Sequence, residues 1–164
     1  MATPVIAIFD IGKTNKKLLL FDERYNIVLE KSTQLHEILD DDGDVCEDLE
    51  ALTTWILNTF AAIKSDKTFE IAAINFSTYG ASFVHIGYDE KPACYLYNYL
   101  KSYPAELKKQ FYNTYGGESV FSMFTASPVL GHLNSGMQLY WLKHARPEVF
   151  KKIKFSLPRY LMIY

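Results

Sequence analysis

The sequence predicts a mixed α/β domain with an antiparallel opening, and three observations carry that prediction. Three short runs rich in β-branched and aromatic residues follow one another before Thr33, separated by turn-forming residues. A stretch of helical periodicity comes next, and then the pattern returns to strands. At 164 residues, with 49% hydrophobic and 22% charged, the chain can bury one core of ordinary domain size.

The elements follow in order. Val5-Ile6-Ala7-Ile8-Phe9 reads as a buried strand, Leu18-Leu19-Leu20-Phe21 as a second, and Ile27 to Thr33 as a third after the turn at Glu23 to Asn26, so the three form a meander. A helix from about Asp48 to Lys64 carries Leu49, Leu52, Ile56, Phe60 and Ile63 on one face, the spacing of a helix packed on a sheet. Glu70 to Ser77 and Ser82 to Gly87 are strands again. Pro104 opens a second helix through Leu107, Phe111 and Tyr115, which Gly116-Gly117 ends. Ser135-x-x-Gln138 has the form of a capping box, and Met137, Tyr140, Trp141 and His144 form a core stripe behind it. Leu157 to Tyr164 reads as the start of a helix with Pro158 near its first turn, stopping on apolar residues that want a partner. That ending suggests a chain cut short. No internal repeat or low-complexity linker interrupts the order.

Composition excludes several classes. A net charge of −2 argues against a dedicated nucleic-acid binder, which carries a basic face. Cys46 and Cys94 have no paired spacing and fit a reducing compartment, with thiols buried or idle. Thr3-Pro4 leads directly into the first strand without a signal segment, and no run approaches a membrane span, so the expected address is cytoplasmic. Asp40, Asp41, Asp42 and Asp44 around Gly43 invite a calcium reading. The EF-hand register fails, because the first ligand position falls on Ile38 and no Glu stands at the twelfth; a solvated acidic loop is expected instead. His36, His85, His132 and His144 follow no zinc pattern.

The chemistry concentrates in Asp10-Ile11-Gly12-Lys13-Thr14-Asn15-Lys16-Lys17, a glycine-containing turn between the first two strands. Gly12-Lys13-Thr14 resembles the end of a Walker P-loop, but the first glycine of that motif would fall on Ala7 and a strand follows where a helix should. What survives is a hairpin whose backbone N–H groups converge on an anion, with Thr14 and Asn15 as side-chain donors and Lys13 or Lys17 as charge. An ordinary hairpin with a convenient glycine is the alternative. A carboxylate at the end of a buried strand needs a partner, a donor or a hydrated cation. For Asp10 the choice lies between such a role and an Asx-type turn closing on Gly12.

With two further stretches, the chain resembles the N-terminal domain of the FGGY carbohydrate kinases, within the wider actin, hexokinase and Hsp70 group. That family opens on Asp-x-Gly-Thr-Thr-x-x-Arg or Lys, close to Asp10 through Lys17. Ile74 to Val84 followed by Lys91-Pro92-Ala93 is similar to its sugar-side strand and turn, and Gln138-Leu139-Tyr140-Trp141-Leu142-Lys143 with Arg146-Pro147-Glu148-Val149-Phe150 to its Trp-Leu and Pro-Glu-Val-Phe pattern. The resemblance covers nearly the whole chain.

It implies a ribonuclease-H-like fold of the actin and hexokinase type, incomplete at the C-terminus, with residues 1–164 as the N-terminal kinase domain and a second domain beyond. It implies ATP and Mg²⁺ as cofactors, bound by Asp10, Gly12, Lys13, Thr14, Asn15 and Lys17, with Asp10 orienting waters around the metal. Lys13 stands where the family has threonine. On the sugar side it implies contacts from Tyr79, Gly80, Ala81, Ser82, Asn98 and Lys101. Thr78-Tyr79-Gly80-Ala81-Ser82 resembles the Thr-Trp-Gly-Val-Asp of 6-deoxysugar kinases, which points to the rhamnulokinase and fuculokinase-like branch. Tyr97-Asn98-Tyr99-Leu100-Lys101 resembles Trp-Asn-Asp-x-Arg with Tyr99 in place of the Asp. The proton-accepting aspartate is expected beyond Tyr164, so the fragment alone is expected to be inactive. The implied partners are a small-molecule sugar and ATP, without nucleic acid or membrane, and a homodimer is left open. The rival reading is a non-catalytic sugar or nucleotide sensor of the same fold.

Overall fold

The computed structural model describes residues 2–158. Its elements run β1 (Thr3–Ile11), β2 (Lys16–Phe21), β3 (Ile27–Thr33), β4 (Glu37–Leu39), β5 (Val45–Glu47), α1 (Leu49–Ser65), β6 (Phe69–Thr78), β7 (Phe83–Gly87), α2 (Ala105–Thr114), α3 (Glu118–Thr125), a 3-10 turn at Gly131–Leu133, α4 (Ser135–Ala145), α5 (Pro147–Phe150) and β8 (Ile153–Pro158). The chain divides into two compact units. Among the described residues, one comprises those up to Ile38 with Glu47–Gly80, the other Leu39–Cys46 with those from Ala81 to Pro158.

In the first unit a four-stranded sheet has the order β3-β2-β1-β6. The meander pairs antiparallel as its alternation predicts, and β6 returns parallel to β1 after the α1 crossover. Alternation along β1 and β2 sends Val5, Ala7, Phe9, Ile11, Leu18 and Leu20 to one face, where they are buried with Leu52, Ile56 and Ile63 of α1. Phe9 anchors this layer, edge-on to Trp55 at 5.8 Å and stacked on Phe76 at 5.3 Å. Asp48 starts α1 by accepting a hydrogen bond from the Ala51 N–H at 2.9 Å. Among the described residues β3 and β6 are the sheet's edges. Glu30 and Lys31 lie along β3, whereas the middle of β6, Ile71-Ala72-Ala73-Ile74, carries no charge and is half-buried to exposed.

In the second unit β7 and β8 pair antiparallel, and Tyr97, Trp141 and Leu142 form a core with Tyr103, Leu107, Val149 and Phe150 packed against it. Gly116-Gly117 ends α2 as expected, and α3 follows at once, with both glycines at positive φ (87° and 95°) making the reversal. Several expectations need correction here. Along α2 it is Tyr112 that is buried, while Tyr115 is exposed. The capping box does not form. Asn134 is the N-cap of α4, its Oδ1 accepts from the Leu130 N–H, and the Gln138 amide instead donates inward to the carbonyls of Ala81 and His132. The stripe on α4 is Met137, Trp141 and Leu142 with Gln138; His144 is exposed and Tyr140 half-buried. Leu157 and Pro158 do not begin a helix but end β8, in register with Val84 and Phe83, where proline's missing N–H is tolerated at a strand end. The remainder of that expected helix, 159–164, lies outside the described residues.

The acidic stretch around Gly43 is exposed at Asp41, Asp42 and Asp44, as expected, but not at Asp40. It is the tip of the β4–β5 hairpin, and the Asp40 side chain is fully buried. Asp40 Oδ1 accepts the N–H groups of Asp42 and Asp44 at 2.8 and 3.0 Å. The Lys101 ammonium lies 2.7, 2.6 and 2.9 Å from carboxylate oxygens of Asp40, Asp42 and Asp44, at the point where a bound cation would otherwise sit. Arg146 pairs with Asp41 and Asp42 from the end of α4.

Burial holds two imidazoles in this unit well below their ordinary value of 6.5, both to about 4: His85, bonded to Ser156 Oγ at 2.8 Å, and His132, where the Lys101 charge adds to the effect. Both are therefore neutral in the folded protein near pH 5, while the unfolded chain takes up their protons from about pH 6.5 downward. The unfolded state binds more protons across that window, so stability rises with pH between about 4 and 6.5 and is lost on acidification. Urea midpoints measured at about pH 7, 5.5 and 4.5 should fall in that order.

Candidate functional site

The β1–β2 turn gathers the predicted phosphate-side residues in one place. Gly12 donates its N–H to the Asn15 carbonyl at 2.9 Å, and a Cβ on Gly12 would stand 2.8 Å from that same oxygen. Glycine is required by this close approach. The bond also removes the Asx-turn alternative for Asp10, because the Gly12 N–H is already engaged with Asn15.

Asp10 lies at the end of β1 on the sheet face opposite α1, in register with Lys17 of β2 on one side and Ser77 of β6 on the other. Its carboxylate is half-buried and accepts no hydrogen bond from the described residues. A carboxylate in such a place wants a partner beyond the described residues, whether water, a cation or another group. Lys17 turns to Glu30 at 2.8 Å, which holds its ammonium above the ordinary lysine value, with a smaller contribution from Asp10. At the tip Thr14 and Asn15 are exposed. Asn15 Oδ1 accepts from Gln34 Nε2 at 3.0 Å, which leaves its own Nδ2 as a donor group. Lys13 is ion-paired with Glu37. The turn thus presents a hydroxyl, an amide and an open carboxylate on a rigid hairpin.

Sequence reasoning missed the residue that holds this turn from beneath. Lys16 is 2% exposed, its Nζ donates to the Lys13 carbonyl at 3.0 Å and lies 2.7 Å from Glu47 Oε1. Glu47 Oε2 in turn accepts the Tyr79 hydroxyl at 2.5 Å. The period-2 alternation of β2, which puts Lys16 on the same face as Leu18 and Leu20, was the available signal.

The sugar-side residues fall in both units. Tyr79 and Gly80 close the first, Tyr79 half-buried with its N–H on the Ile11 carbonyl at 3.3 Å. Gly80 is exposed, and a Cβ there would meet nothing, so no contact within the chain demands glycine. In the second unit Ala81 is the residue with positive φ (62°), and its carbonyl accepts from Gln138; Ser82 is buried. A non-glycine residue in that region is strained and is held there by its surroundings. Asn98 donates to the Val45 carbonyl at 3.1 Å and accepts from the Leu100 N–H at 2.9 Å, and Lys101 sits in the acidic cluster described above. Cys94 is partly buried, and burial with the nearby Asp41 pushes its thiol up to about 12, so it is inert as a nucleophile. No helix of the described residues is long and apolar enough to cross a membrane.

Comparison with known proteins fits this arrangement. The chain resembles solved structures of a carbohydrate kinase from Novosphingobium aromaticivorans (TM-score 0.81, 21% identity, 98% of this chain and 32% of that one). It also resembles a gluconate kinase from Lactobacillus acidophilus (0.75, 22%, 95% and 31%) and a Plasmodium falciparum glycerol kinase with ADP (0.74, 19%, 92% and 31%). The chain spans about a third of the length of each. No curated protein matches it by sequence. The fold is therefore the mixed α/β, actin-like ATPase type that the sequence led us to expect. Because the model of the FGGY family of carbohydrate kinases, N-terminal domain, matches residues 5–164, the chain belongs to that family.

Proposed function

We propose that the protein carrying this domain transfers the γ-phosphoryl group of ATP to a hydroxyl of a sugar or polyol, in the cytoplasm, with residues 1–164 supplying the phosphate-binding hairpin and part of the acceptor site. The observation that carries the reading is the half-buried Asp10 carboxylate, which meets no donor within the described residues and stands beside a turn that offers Thr14 and Asn15 to an anion. Family membership supports the reaction class.

Phosphoryl transfer asks a protein chiefly for positioning and charge stabilisation. In this reading Gly12 lets the backbone of the turn come close to phosphate, Thr14 Oγ1 and Asn15 Nδ2 donate to its oxygens, and Lys13 and Lys17 offset its charge. Asp10 would hold Mg²⁺ through water, and the metal would supply neutralisation of phosphate charge. Tyr79 and Gly80 of one unit, and Ala81, Ser82, Asn98 and Lys101 of the other, are the proposed acceptor contacts. The aromatic ring of Tyr79 suits an apolar ring face or methyl group, which favours a 6-deoxysugar among acceptors. The aspartate that takes the hydroxyl proton is proposed to lie outside residues 1–164.

The test is ADP release by the natural-length protein with ATP, Mg²⁺ and a panel of ketoses, polyols and 6-deoxysugars against a control without acceptor. Acceptor-dependent release is expected, greatest with one sugar class. Nucleotide and sugar binding without turnover would replace the kinase reading with that of a sensor.

A further inference from the structure

The Lys16–Glu47–Tyr79 network is built at a cost. Lys16 and Glu47 are 2% and 5% exposed, on a face where leucine at position 16 would continue the apolar row of Leu18 and Leu20. A buried ion pair is seldom more stable than the apolar residues that could replace it, so its presence calls for a reason other than stability. The connectivity offers one. Lys16 Nζ holds the carbonyl of Lys13, inside the turn, and Glu47 joins that ammonium to the hydroxyl of Tyr79, the residue that follows β6. The Tyr79 N–H on the Ile11 carbonyl links the same two places through the backbone.

We infer that Lys16 and Glu47 are positioning residues that couple the phosphate-side turn to the acceptor-side segment at Tyr79, so that order in one fixes the other. A carboxylate gripped by an ammonium on one oxygen and a phenol on the other has little freedom to rotate, and both partners inherit that restriction. Neither residue touches phosphate or acceptor in this arrangement. They act through the Lys13 carbonyl and the Tyr79 ring. The inference rests on the kinase reading for its consequence in catalysis, but the coupling itself is a property of the fold.

Two measurements on the natural-length protein separate these parts. Hydrogen exchange reads the coupling without any activity: Tyr79→Phe, which removes one hydroxyl and no volume, is expected to speed exchange of the Gly12 amide by about tenfold, as is Glu47→Gln. Unchanged exchange at Gly12 in both variants would overturn the inference, whatever the protein's reaction. In steady-state kinetics Lys16→Met is expected to raise KM for the acceptor, and Tyr79→Phe to raise KM for ATP, each by about tenfold, with the double variant no worse than the poorer single one. Additive effects confined to each residue's own ligand would overturn the inference while leaving the kinase reading intact. A wild-type protein that consumes no ATP with any acceptor would overturn the kinase reading and leave the exchange result to decide the coupling.

Discussion

Asp10→Asn in the natural-length protein is expected to lower kcat for acceptor-dependent ADP release by about 10²- to 10³-fold, with little change in thermal midpoint. The two halves of that expectation come from the same observation. The carboxylate is half-buried at the end of β1, takes no hydrogen bond from the described residues and acts on Lys17 only as a minor effect beside Glu30, so the fold gains little from its charge. Asparagine keeps its volume and removes the anion that would orient water around a magnesium ion. Stopped ADP release alongside an unchanged melting curve would place Asp10 in the chemistry. Full activity in the variant would remove it, and with it the observation on which the kinase reading rests. A variant that loses activity only by unfolding would appear as a lowered midpoint.

Lys101→Met is expected to act in the opposite manner, on stability first. Its side chain is 7% exposed and its ammonium serves Asp40, Asp42 and Asp44 together, and the Asp40 side chain has no access to solvent. Removing the lysine leaves a buried carboxylate without its counter-charge, a change that costs about 3–5 kcal/mol. Chemical denaturation should report most of that loss. Adding Asp40→Asn to Lys101→Met should recover part of it, since the stranded charge goes with the second substitution. If Lys101→Met were as stable as wild type, the cluster would be an exposed set of charges with no structural role, and a direct part for Lys101 in acceptor binding would gain weight.

Much of the fold could be read from the chain because the informative signals were local. Alternation bounded by a turn at Glu23 to Asn26 fixes β3 at Ile27–Thr33, and five apolar positions at helical spacing behind Asp48 fix α1. The failures share the opposite character. α3 is short and buries none of its residues fully, and the glycines before it read as an end. Pro158 suggests a helix start to anyone who cannot see β7 beside it. Asp40 looks solvated until Lys101, far along the chain, is brought to it by folding, and Gln138 looks like a cap until the carbonyls of Ala81 and His132 come within its reach.

The candidate site divides along the same line. Asp10, Gly12, Thr14 and Asn15 lie within one turn, and their order in sequence nearly dictates their order in space. Motif spacing points to Lys17 rather than Lys16, although both are lysines next to a glycine turn. Only the strand's alternation distinguishes the one that enters the core from the one that pairs with Glu30 at the surface. Glu47, on the far side of the β4–β5 hairpin, has no motif to mark it.

The two edges of the four-stranded sheet differ in a way that matters at the bench. Backbone groups on the outer rim of β3 are guarded by Glu30 and Lys31, whereas β6 offers Ile71-Ala72-Ala73-Ile74 with no charge among them. An uncharged extended rim is a template on which another chain can add a strand. At high concentration residues 1–164 are expected to self-associate through β6, and Ala72→Lys should reduce this without touching the hairpin on the other side of β1, as light scattering would read.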